Sequence, residues 1–269
     1  MMTSFSAQDG WALLNIYAGM ALAIAGIYGL ARIIKNAGVI DVFWGFGLGI
    51  LALVYALQMP LNILPVGRPA VLATLAILAS LRLGLYLLKR FLNEHPKEDA
   101  RYTAFRHQWQ PRPELTMFGV YQLQGLLMVT VSLPIWWVCR FSSSSLGLWD
   151  VAGVLVFTVG WLIEWWADDT LKRFKQEPAN RGKTCQSGLW RFSRHPNYFG
   201  EWLMWLGYYV IALNVPAGWV TLFSPLLMLL FLTKVTGVAA TEAHALKTRA
   251  DYAEYQRRTS PFFPWFVKG

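Results

Sequence analysis

The stretch from Val39 to Met59 reads VIDVFWGFGLGILALVYALQM, and Asp41 is its only charged residue. At 1.5 Å per residue, a helix of this length reaches about 30 Å, the thickness of a bilayer's hydrocarbon core. Lipid offers the backbone no hydrogen-bond partners, so the stretch predicts a membrane-spanning helix. Its three alternate glycines, Gly45, Gly47 and Gly49, predict close helix packing, because the spacing of a dinucleotide-binding motif is absent.

Six further stretches have the same apolar character. The seven predicted spans are Trp11–Leu30, Val39–Met59, Val71–Leu88, Met117–Cys139, Leu146–Ala167, Phe199–Leu213 and Trp219–Val238. The sixth is short and contains Glu201. The sequence shows no internal repeat and no low-complexity linker. It therefore predicts an all-α integral membrane protein with seven transmembrane helices and one domain over residues 1–269.

The composition argues against the soluble classes. Hydrophobic residues make up 55% of the chain and charged residues 14%, whereas soluble domains carry about 25% charged residues. The net charge of +9 resides in short loops between apolar runs, so membrane topology explains it and no nucleic-acid partner is predicted. Cys139 and Cys185 lie far apart without ligand spacing, so neither a disulfide framework nor a metal site is predicted.

The basic residues are distributed unevenly along the chain. Of the 24 Lys and Arg, 20 lie in the loops after the first, third and fifth predicted spans and in the C-terminal tail, while only Arg68 and Arg140 lie in the opposite loops. Loops rich in Lys and Arg stay in the cytoplasm. We therefore expect the N-terminus outside, the C-terminus in the cytoplasm, and the functional site on the cytoplasmic face.

One segment concentrates polar residues at a span entry. Residues 186–201 read QSGLWRFSRHPNYFGE and lead from a polar loop into an apolar run. Arg191 and Arg194 offer guanidinium forks that suit phosphates. Asn197 offers both amide donors and an acceptor, and Tyr198 offers a ring face. An interfacial helix start that faces lipid headgroups is the alternative interpretation.

Four strings in the chain resemble one known family. They are IDVFWGFG at 40–47, GLW at 188–190, RHPNYFGEW at 194–202 and ADYAEYQRRTSPFFPW at 250–265. They resemble the membrane steroid 5α-reductase superfamily, in particular its bacterial DUF1295 branch, over nearly the whole chain and most strongly over 161–265. The RHPxY core also resembles isoprenylcysteine carboxyl methyltransferases and related membrane enzymes, which use S-adenosylmethionine.

This resemblance implies an enzyme of the bacterial inner membrane. The expected reaction is NADPH-dependent hydride transfer to the C=C of a 3-oxo-4-ene steroid or a similar apolar enone. The substrate is expected to enter from the bilayer among membrane lipids, and no obligate protein partner is predicted. An S-adenosylmethionine-dependent membrane methyltransferase is the alternative function.

The resemblance also implies site residues. Asn197, Tyr198 and Glu201 match an Asn-aromatic-x-Gly-Glu element that lines the cofactor, and Asp168, Lys172 and Lys175 match an acidic-then-basic stretch after the fifth span. The predicted cofactor-binding residues are Glu164, Asp168, Lys172, Lys175, Lys183, Arg191, Arg194, His195, Asn197, Tyr198, Glu201, His244, Arg249, Tyr252 and Tyr255.

The family further uses an acid in the second span and a tyrosine in the third to bind the substrate carbonyl. Asp41 is the only acid in the second predicted span, and Tyr86 is the only tyrosine in the third. We therefore predict Asp41 and Tyr86 as the catalytic residues that polarise the ketone. An interhelical ion pair between Asp41 and Arg82 is the alternative interpretation.

Overall fold

The computed structural model describes residues 5–58, 67–142, 145–235 and 237–267. Within these ranges the chain is helical, and its only strand-like pairing is an isolated bridge between Ser193 and Ser260. The all-α prediction is therefore confirmed for the described chain. Its contacts form two compact units, Met1–Leu146 and Gly147–Gly269, and a single domain over the whole chain stays a prediction.

The first unit is a bundle of long helices with one short surface helix. Its elements are α1 (Ala7–Ile34), α2 (Val39–Leu57), α3 (Arg68–Glu94), α4 (Ala100–Gln108) and α5 (Pro113–Phe141). Helix α2 packs against α3 and α5, and α1 packs against α5.

The glycines of α2 explain how closely it approaches α3. A Cβ on Gly45 would lie 2.7 Å from the Cα of Gly84, and one on Gly49 would lie 2.9 Å from the Cβ of Ser80. Such distances are too short for carbon atoms in contact, so only glycine permits this approach. The predicted role of the glycines in helix packing is confirmed.

The second unit begins with a tightly packed helix pair. Its α-helices are α6 (Leu148–Gln176), α7 (Pro196–Ala212), α8 (Phe223–Leu230), α9 (Val238–Thr248) and α10 (Tyr252–Arg258). A 3-10 turn over Gly218–Leu222 precedes α8, and a π-helical turn over Phe231–Val235 follows it. The last predicted span is thus a succession of three helical types.

Six helical stretches of the described chain are long and apolar enough to cross a membrane: Ala7–Ile34, Val39–Leu57, Arg68–Glu94, Pro113–Phe141, Leu148–Gln176 and Gly218–Val235. These helices support an integral membrane protein. Helix α7, the sixth predicted span, has 17 residues and reaches only about 25 Å at 1.5 Å per residue. The count of seven crossings stays a prediction.

Both arginines of the sparsely charged loops are bound to the protein. Arg140 pairs with the buried carboxylate of Asp9 at the start of α1. Arg68 is buried and donates to the Ser142 hydroxyl at 2.8 Å and to the Ser145 carbonyl at 2.7 Å. These contacts give both residues a structural role.

Candidate functional site

The second unit owes its polar site to the close approach of α6 and α7. A Cβ on Gly160 would lie 2.6 Å from the carbonyl oxygen of Gly200, and one on Gly200 would lie 2.6 Å from the backbone nitrogen of Glu164. Because both positions are glycine, the backbones approach within contact distance. This approach brings the polar residues of one helix against those of the other.

Asn197, in the first turn of α7, lies where this pair meets the polar loop. Its side-chain amide donates to Asp168 of α6 over 3.1 Å. Its Oδ1 is buried and accepts no hydrogen bond from any part of the described chain. An unsatisfied buried acceptor costs ~1–3 kcal/mol, so this oxygen is suited to a donor from a ligand.

Beside Asn197 lies a cavity of about 140 Å³ with aromatic walls. Trp190, Tyr198, Tyr252 and Tyr255 supply rings, and Asn197 supplies its amide. The full lining is Leu171, Lys175, Thr184, Cys185, Trp190, Arg194, His195, Asn197, Tyr198, Thr241, Ala245, Arg249, Tyr252 and Tyr255. Flat rings beside polar side chains suit a planar heterocycle.

A second, larger cleft of about 490 Å³ adjoins this cavity. The two share Leu171, Lys175, Cys185 and Arg249 in their linings. The cations around the cleft are Lys175, Arg181, Lys183 and Arg249, and its only acid is Glu177. The pair of cavities is therefore aromatic at one end and strongly basic at the other.

The basic rim depends on a tight turn in the loop after α6. Gly182 has φ of 77°, a left-handed conformation that strains residues with a Cβ. It separates Arg181 from Lys183, so the turn presents both cations to the cleft. Arg249 makes no ion pair with any residue of the described chain.

Hydrogen bonds fix the aromatic walls. The indole of Trp190 donates to the Ala167 carbonyl of α6 over 2.9 Å, and the Tyr255 hydroxyl donates to the Trp190 carbonyl over 2.5 Å. Thr184 donates through its hydroxyl and its backbone N–H to Asp251, over 2.6 and 3.0 Å. The loop between α6 and α7 is thereby tied to α10.

Arg194 has a different role from the one predicted. Its guanidinium makes a bidentate pair with Glu242 of α9, with Nε–Oε1 and Nη2–Oε2 distances of 2.6 and 3.2 Å. It also donates to the carbonyls of Gln256 and Thr259. Arg194 is buried, and these bonds occupy the fork that we expected to bind phosphate. It joins α7, α9 and α10 as a structural clamp.

Glu242 is the centre of this clamp. Burial raises the pKa of its carboxyl, but hydrogen bonds from His195, Arg194 and Gln256, together with the charge of Arg194, outweigh burial and lower the pKa to about 2. His195 Nε2 lies 3.3 Å from the carboxylate, and its ring stacks on Tyr198 with centroids 5.3 Å apart. Two predicted site residues are thus held in place by a carboxylate that the site prediction omitted.

The other predicted residues fall into three groups. Nine predicted residues line the cavities: Lys175, Lys183, Arg194, His195, Asn197, Tyr198, Arg249, Tyr252 and Tyr255. Glu164, Asp168 and Glu201 lie on the facing helices α6 and α7. Lys172, Arg191 and His244 are exposed outside both linings.

Sequence reasoning missed several lining residues. Thr184, Cys185, Trp190 and Thr241 line the cavity, and Arg181 lines the cleft. The Arg-Gly-Lys turn at 181–183 is a readable signal, because a glycine between two cations favours a tight basic turn. The Tyr208 hydroxyl was also missed. It is buried in α7 and has no hydrogen-bond partner in the described part of the chain.

Asp41 lies in the first unit and has other partners than those predicted. Arg101 of α4 donates to its Oδ2 and Tyr102 donates to its Oδ1, both over 2.7 Å. The alternative interpretation, an ion pair between Asp41 and Arg82, is not what the structure shows: the arginine that pairs with Asp41 is Arg101. Both carboxylate oxygens are thus engaged by protein partners, which leaves neither of them directed at a substrate carbonyl.

Tyr86 is not brought to Asp41. Its ring is 61% exposed on the surface of α3, and it does not line the small cavity next to Asp41, whose volume is about 30 Å³. An exposed ring on an apolar helix suits contact with lipid. The described structure therefore does not bring the two predicted catalytic residues to one cavity.

Comparison with known proteins identifies a family. The family model described as a protein of unknown function, DUF1295, matches residues 27–259. The uncharacterized protein C594.04c of Schizosaccharomyces pombe is 27% identical over 225 residues, which is 73% of this chain and 63% of the yeast protein. The chain thus spans less than two thirds of that relative. No solved structure matches. Because the family model covers most of its length, the chain belongs to the DUF1295 family.

Proposed function

We propose that this protein is an NADPH-dependent membrane reductase that transfers hydride to the C=C of an apolar enone, such as a 3-oxo-4-ene steroid. The observation that carries the proposal is the aromatic cavity that adjoins a basic cleft. Small-molecule sites commonly measure ~300–1,000 Å³, and the cleft alone has about 490 Å³.

The lining fits a phosphorylated dinucleotide. Arg181, Lys183 and Arg249 would hold its phosphates by charge-assisted hydrogen bonds. Trp190 and Tyr198 would face its flat rings, and the buried Oδ1 of Asn197 would accept from a carboxamide. Bound there, the cofactor supplies the hydride, while the protein supplies position and electrostatics.

The charge of the cleft favours NADPH over S-adenosylmethionine. The sulfonium group is a cation, and the four cations around the cleft would repel it. An anionic dinucleotide gains from the same charges, and the 2′-phosphate of NADPH gains more than the hydroxyl of NADH. The methyltransferase alternative would need an acidic partner near the sulfur.

Tyr208 is the residue to which we assign polarisation of the ketone. It lies on α7, eleven residues after Asn197 and so on the same face after three turns. Its hydroxyl is buried and has no partner in the described chain. Tyr208 lines neither described cavity, so the substrate would reach its hydroxyl from between the helices, where a phenol stabilises developing negative charge on a carbonyl oxygen. This assignment replaces Asp41 and Tyr86.

The proposed membrane placement follows the distribution of charge. An enzyme of the bacterial inner membrane with a cytoplasmic C-terminus would place the basic cleft on the side where NADPH is found. An apolar substrate can reach such a site from the lipid.

The test is ligand binding by purified protein, followed by thermal shift. NADPH is expected to stabilise the protein more than NADH, because a ligand stabilises in proportion to RT ln(1+[L]/Kd). Arg249→Gln and Lys183→Gln should each lower the affinity for NADPH about tenfold, the typical loss for one charge-assisted hydrogen bond. Lys172→Gln removes the same charge outside the cleft and serves as the control.

Three outcomes contradict the proposal. Equal stabilisation by NADPH and NADH would show that the cations of the cleft do not bind the 2′-phosphate. Equal losses in Lys172→Gln and Arg249→Gln would show that the cleft is not the site. Stabilisation by S-adenosylmethionine alone would establish the alternative.

A further inference from the structure

The last described residues, 259–267, form what we call the C-terminal strap. The strap runs along residues 192–194, just before α7. The backbone N–H of Arg194 donates to the Ser260 carbonyl over 2.9 Å, and the N–H of Trp265 donates to the Phe192 carbonyl over 2.9 Å. The Ser193 hydroxyl donates to the Phe262 carbonyl over 2.7 Å. The strap is therefore fixed along its backbone.

These bonds connect the strap to the wall of the cavity. Arg194, His195 and Asn197 follow directly in the chain and line the cavity. The Arg194 guanidinium also donates to the Thr259 carbonyl over 2.8 Å. Any force that holds the strap in place therefore holds this wall.

The strap has an inner and an outer face. On the inner face Phe262 is buried and contacts Phe199 and Trp202, with ring centroids 6.0 and 6.3 Å apart. Both partners lie in the first two turns of α7. On the outer face Trp265 is 69% exposed and Phe266 is 78% exposed. Large exposed rings are costly in water and typical of the membrane interface.

Two cations flank the segments that the strap joins, since Arg191 directly precedes Phe192, whose carbonyl accepts from the Trp265 N–H. Arg191 precedes the segment that the strap covers, and Arg257 precedes the strap. Both are exposed and form no ion pair within the described chain. Exposed aromatic rings together with unpaired arginines are a combination that binds anionic lipid surfaces.

We propose that the C-terminal strap is an interfacial anchor for anionic phospholipids and that its docking on the bilayer stabilises the cavity wall. Trp265 and Phe266 enter the headgroup region, and Arg191 and Arg257 bind lipid phosphates. The docked strap holds residues 192–194 and so orders His195 and Asn197. The lipid contact is independent of the function proposed above, whereas its effect on cofactor binding rests on that function.

The lipid contact is tested with a spin label in nanodiscs. Phe266→Cys carries the label, because the native Cys139 and Cys185 are buried and Trp265 stays intact. Gln186→Cys, in an exposed loop, is the control. The label at 266 should be accessible to oxygen and shielded from a water-soluble nickel chelate, more so with phosphatidylglycerol than with phosphatidylcholine alone. The label at 186 should show the reverse. Equal chelate access at both sites would overturn the proposal.

The coupling to the cavity is tested by hydrogen exchange. Trp265→Ser with Phe266→Ser should speed amide exchange at residues 192–199 in nanodiscs. Trp11→Ser, an equally exposed tryptophan of α1, should leave it unchanged. Arg191→Gln with Arg257→Gln should abolish the difference between the two lipids. Unchanged amide exchange at residues 192–199 in the double Ser variant would overturn the proposed coupling between strap and cavity.

Cofactor titration separates this proposal from the function on which its second half rests. If NADPH binds the parent protein, its Kd should rise about fivefold or more in the Ser variant, the usual lower range of coupling between sites. Equal Kd values in parent and variant would overturn the coupling. If NADPH does not bind the parent at all, the proposed function fails, while the label and exchange results still decide the anchor.

Discussion

At the scale of single residues, the hydrogen-bond partners of a polar side chain decide whether it is available to a ligand. Arg194 and Asp41 both have the chemistry expected of site residues, yet each is engaged by protein partners. Asn197 and Tyr208 have polar atoms that the described chain leaves without a hydrogen bond. Residue type and sequence position could not separate these cases, because the difference lies in contacts made by distant segments.

Tyr208→Phe is expected to lower turnover of a 3-oxo-4-ene steroid by roughly a hundredfold, the loss typical of one oxyanion donor. Affinity for NADPH should stay unchanged, because the hydroxyl is assigned to the substrate. The measurement is NADPH oxidation together with ligand titration on folded protein. Tyr209→Phe is the matched control. Normal turnover in Tyr208→Phe would end the assignment.

Glu242 should make the stability of the folded protein depend on pH in the acidic range. Its pKa is about 2 in the folded protein, against an ordinary value of 4.5. A carboxyl with a lowered pKa stabilises the fold above its ordinary pKa, and this contribution is lost as the pH falls from about 4.5 towards 2. Glu242→Gln should therefore unfold more readily at neutral pH and lose less stability between pH 5 and 3.

The control for this prediction is Glu254→Gln on the exposed face of α10. The measurement is the midpoint of thermal unfolding in detergent at each pH. A parent-like acid dependence in Glu242→Gln would show that other groups control acid stability.

At the scale of helices, small residues determine which elements pair. The alternate glycines of α2 are readable in the sequence, and their predicted role is confirmed by the contact with α3. The glycines of α6 and α7 carry an equally clear signal that the sequence analysis did not use. Gly153 and Gly160 are seven residues apart, as are Gly200 and Gly207, so each pair lies on one face of its helix.

Helix α4 shows what such patterns cannot reveal. It is short and polar, and it supplies Arg101 and Tyr102 to a carboxylate some 60 positions earlier in the chain. Arg82 and Tyr86 lie in a predicted span, where they are the obvious candidates to contact Asp41. Arg101 and Tyr102 lie in a polar segment between two spans, which hydropathy does not mark as a helix. The apolar length of the spans therefore does not predict a polar surface helix between them.

Gly200→Ala is expected to separate α6 from α7. The added methyl would lie 2.6 Å from the Glu164 nitrogen, a clash that backbone atoms relieve only by moving apart. Overpacking of this kind costs ~1–3 kcal/mol. The Tm should fall and NADPH binding should weaken, because Asn197 belongs to the same helix. Gly119→Ala in α5, with open space around it, is the matched control and should be neutral. Equal Tm values would contradict the close packing.

At the scale of the whole molecule, the helical class and most of the spans were predictable because apolar length alone specifies them. The site was only partly predictable. The basic and aromatic residues of the loop at 181–198 can be identified from the sequence. The walls that α9 and α10 contribute cannot, because they are held in place by the contacts of Glu242 with distant residues. The number of crossings is the remaining global property, and it depends on α7.

The crossing of α7 decides on which sides of the membrane the termini lie. With α7 and the six apolar stretches all crossing, the two ends of the chain lie on opposite sides. With α7 outside the bilayer, both ends lie on the same side. The excess of Lys and Arg predicts a cytoplasmic C-terminus. A topology reporter fused after Gly269 should therefore read cytoplasmic, and one fused before Met1 should read external.

Three internal reporters complete this test. One inserted between residues 60 and 66 should read external. One inserted at residue 186, in the exposed loop before α7, should read cytoplasmic and one between residues 214 and 218 external, because the two flanks of α7 lie on opposite sides only if α7 crosses. Arg68→Gln with Arg140→Gln is the control, since these arginines are tied to the protein and removing them should not invert the topology. The same reading at 186 and at 214–218 would show that α7 does not cross. An external C-terminus would put the basic cleft on the side without NADPH and refute the proposed reductase.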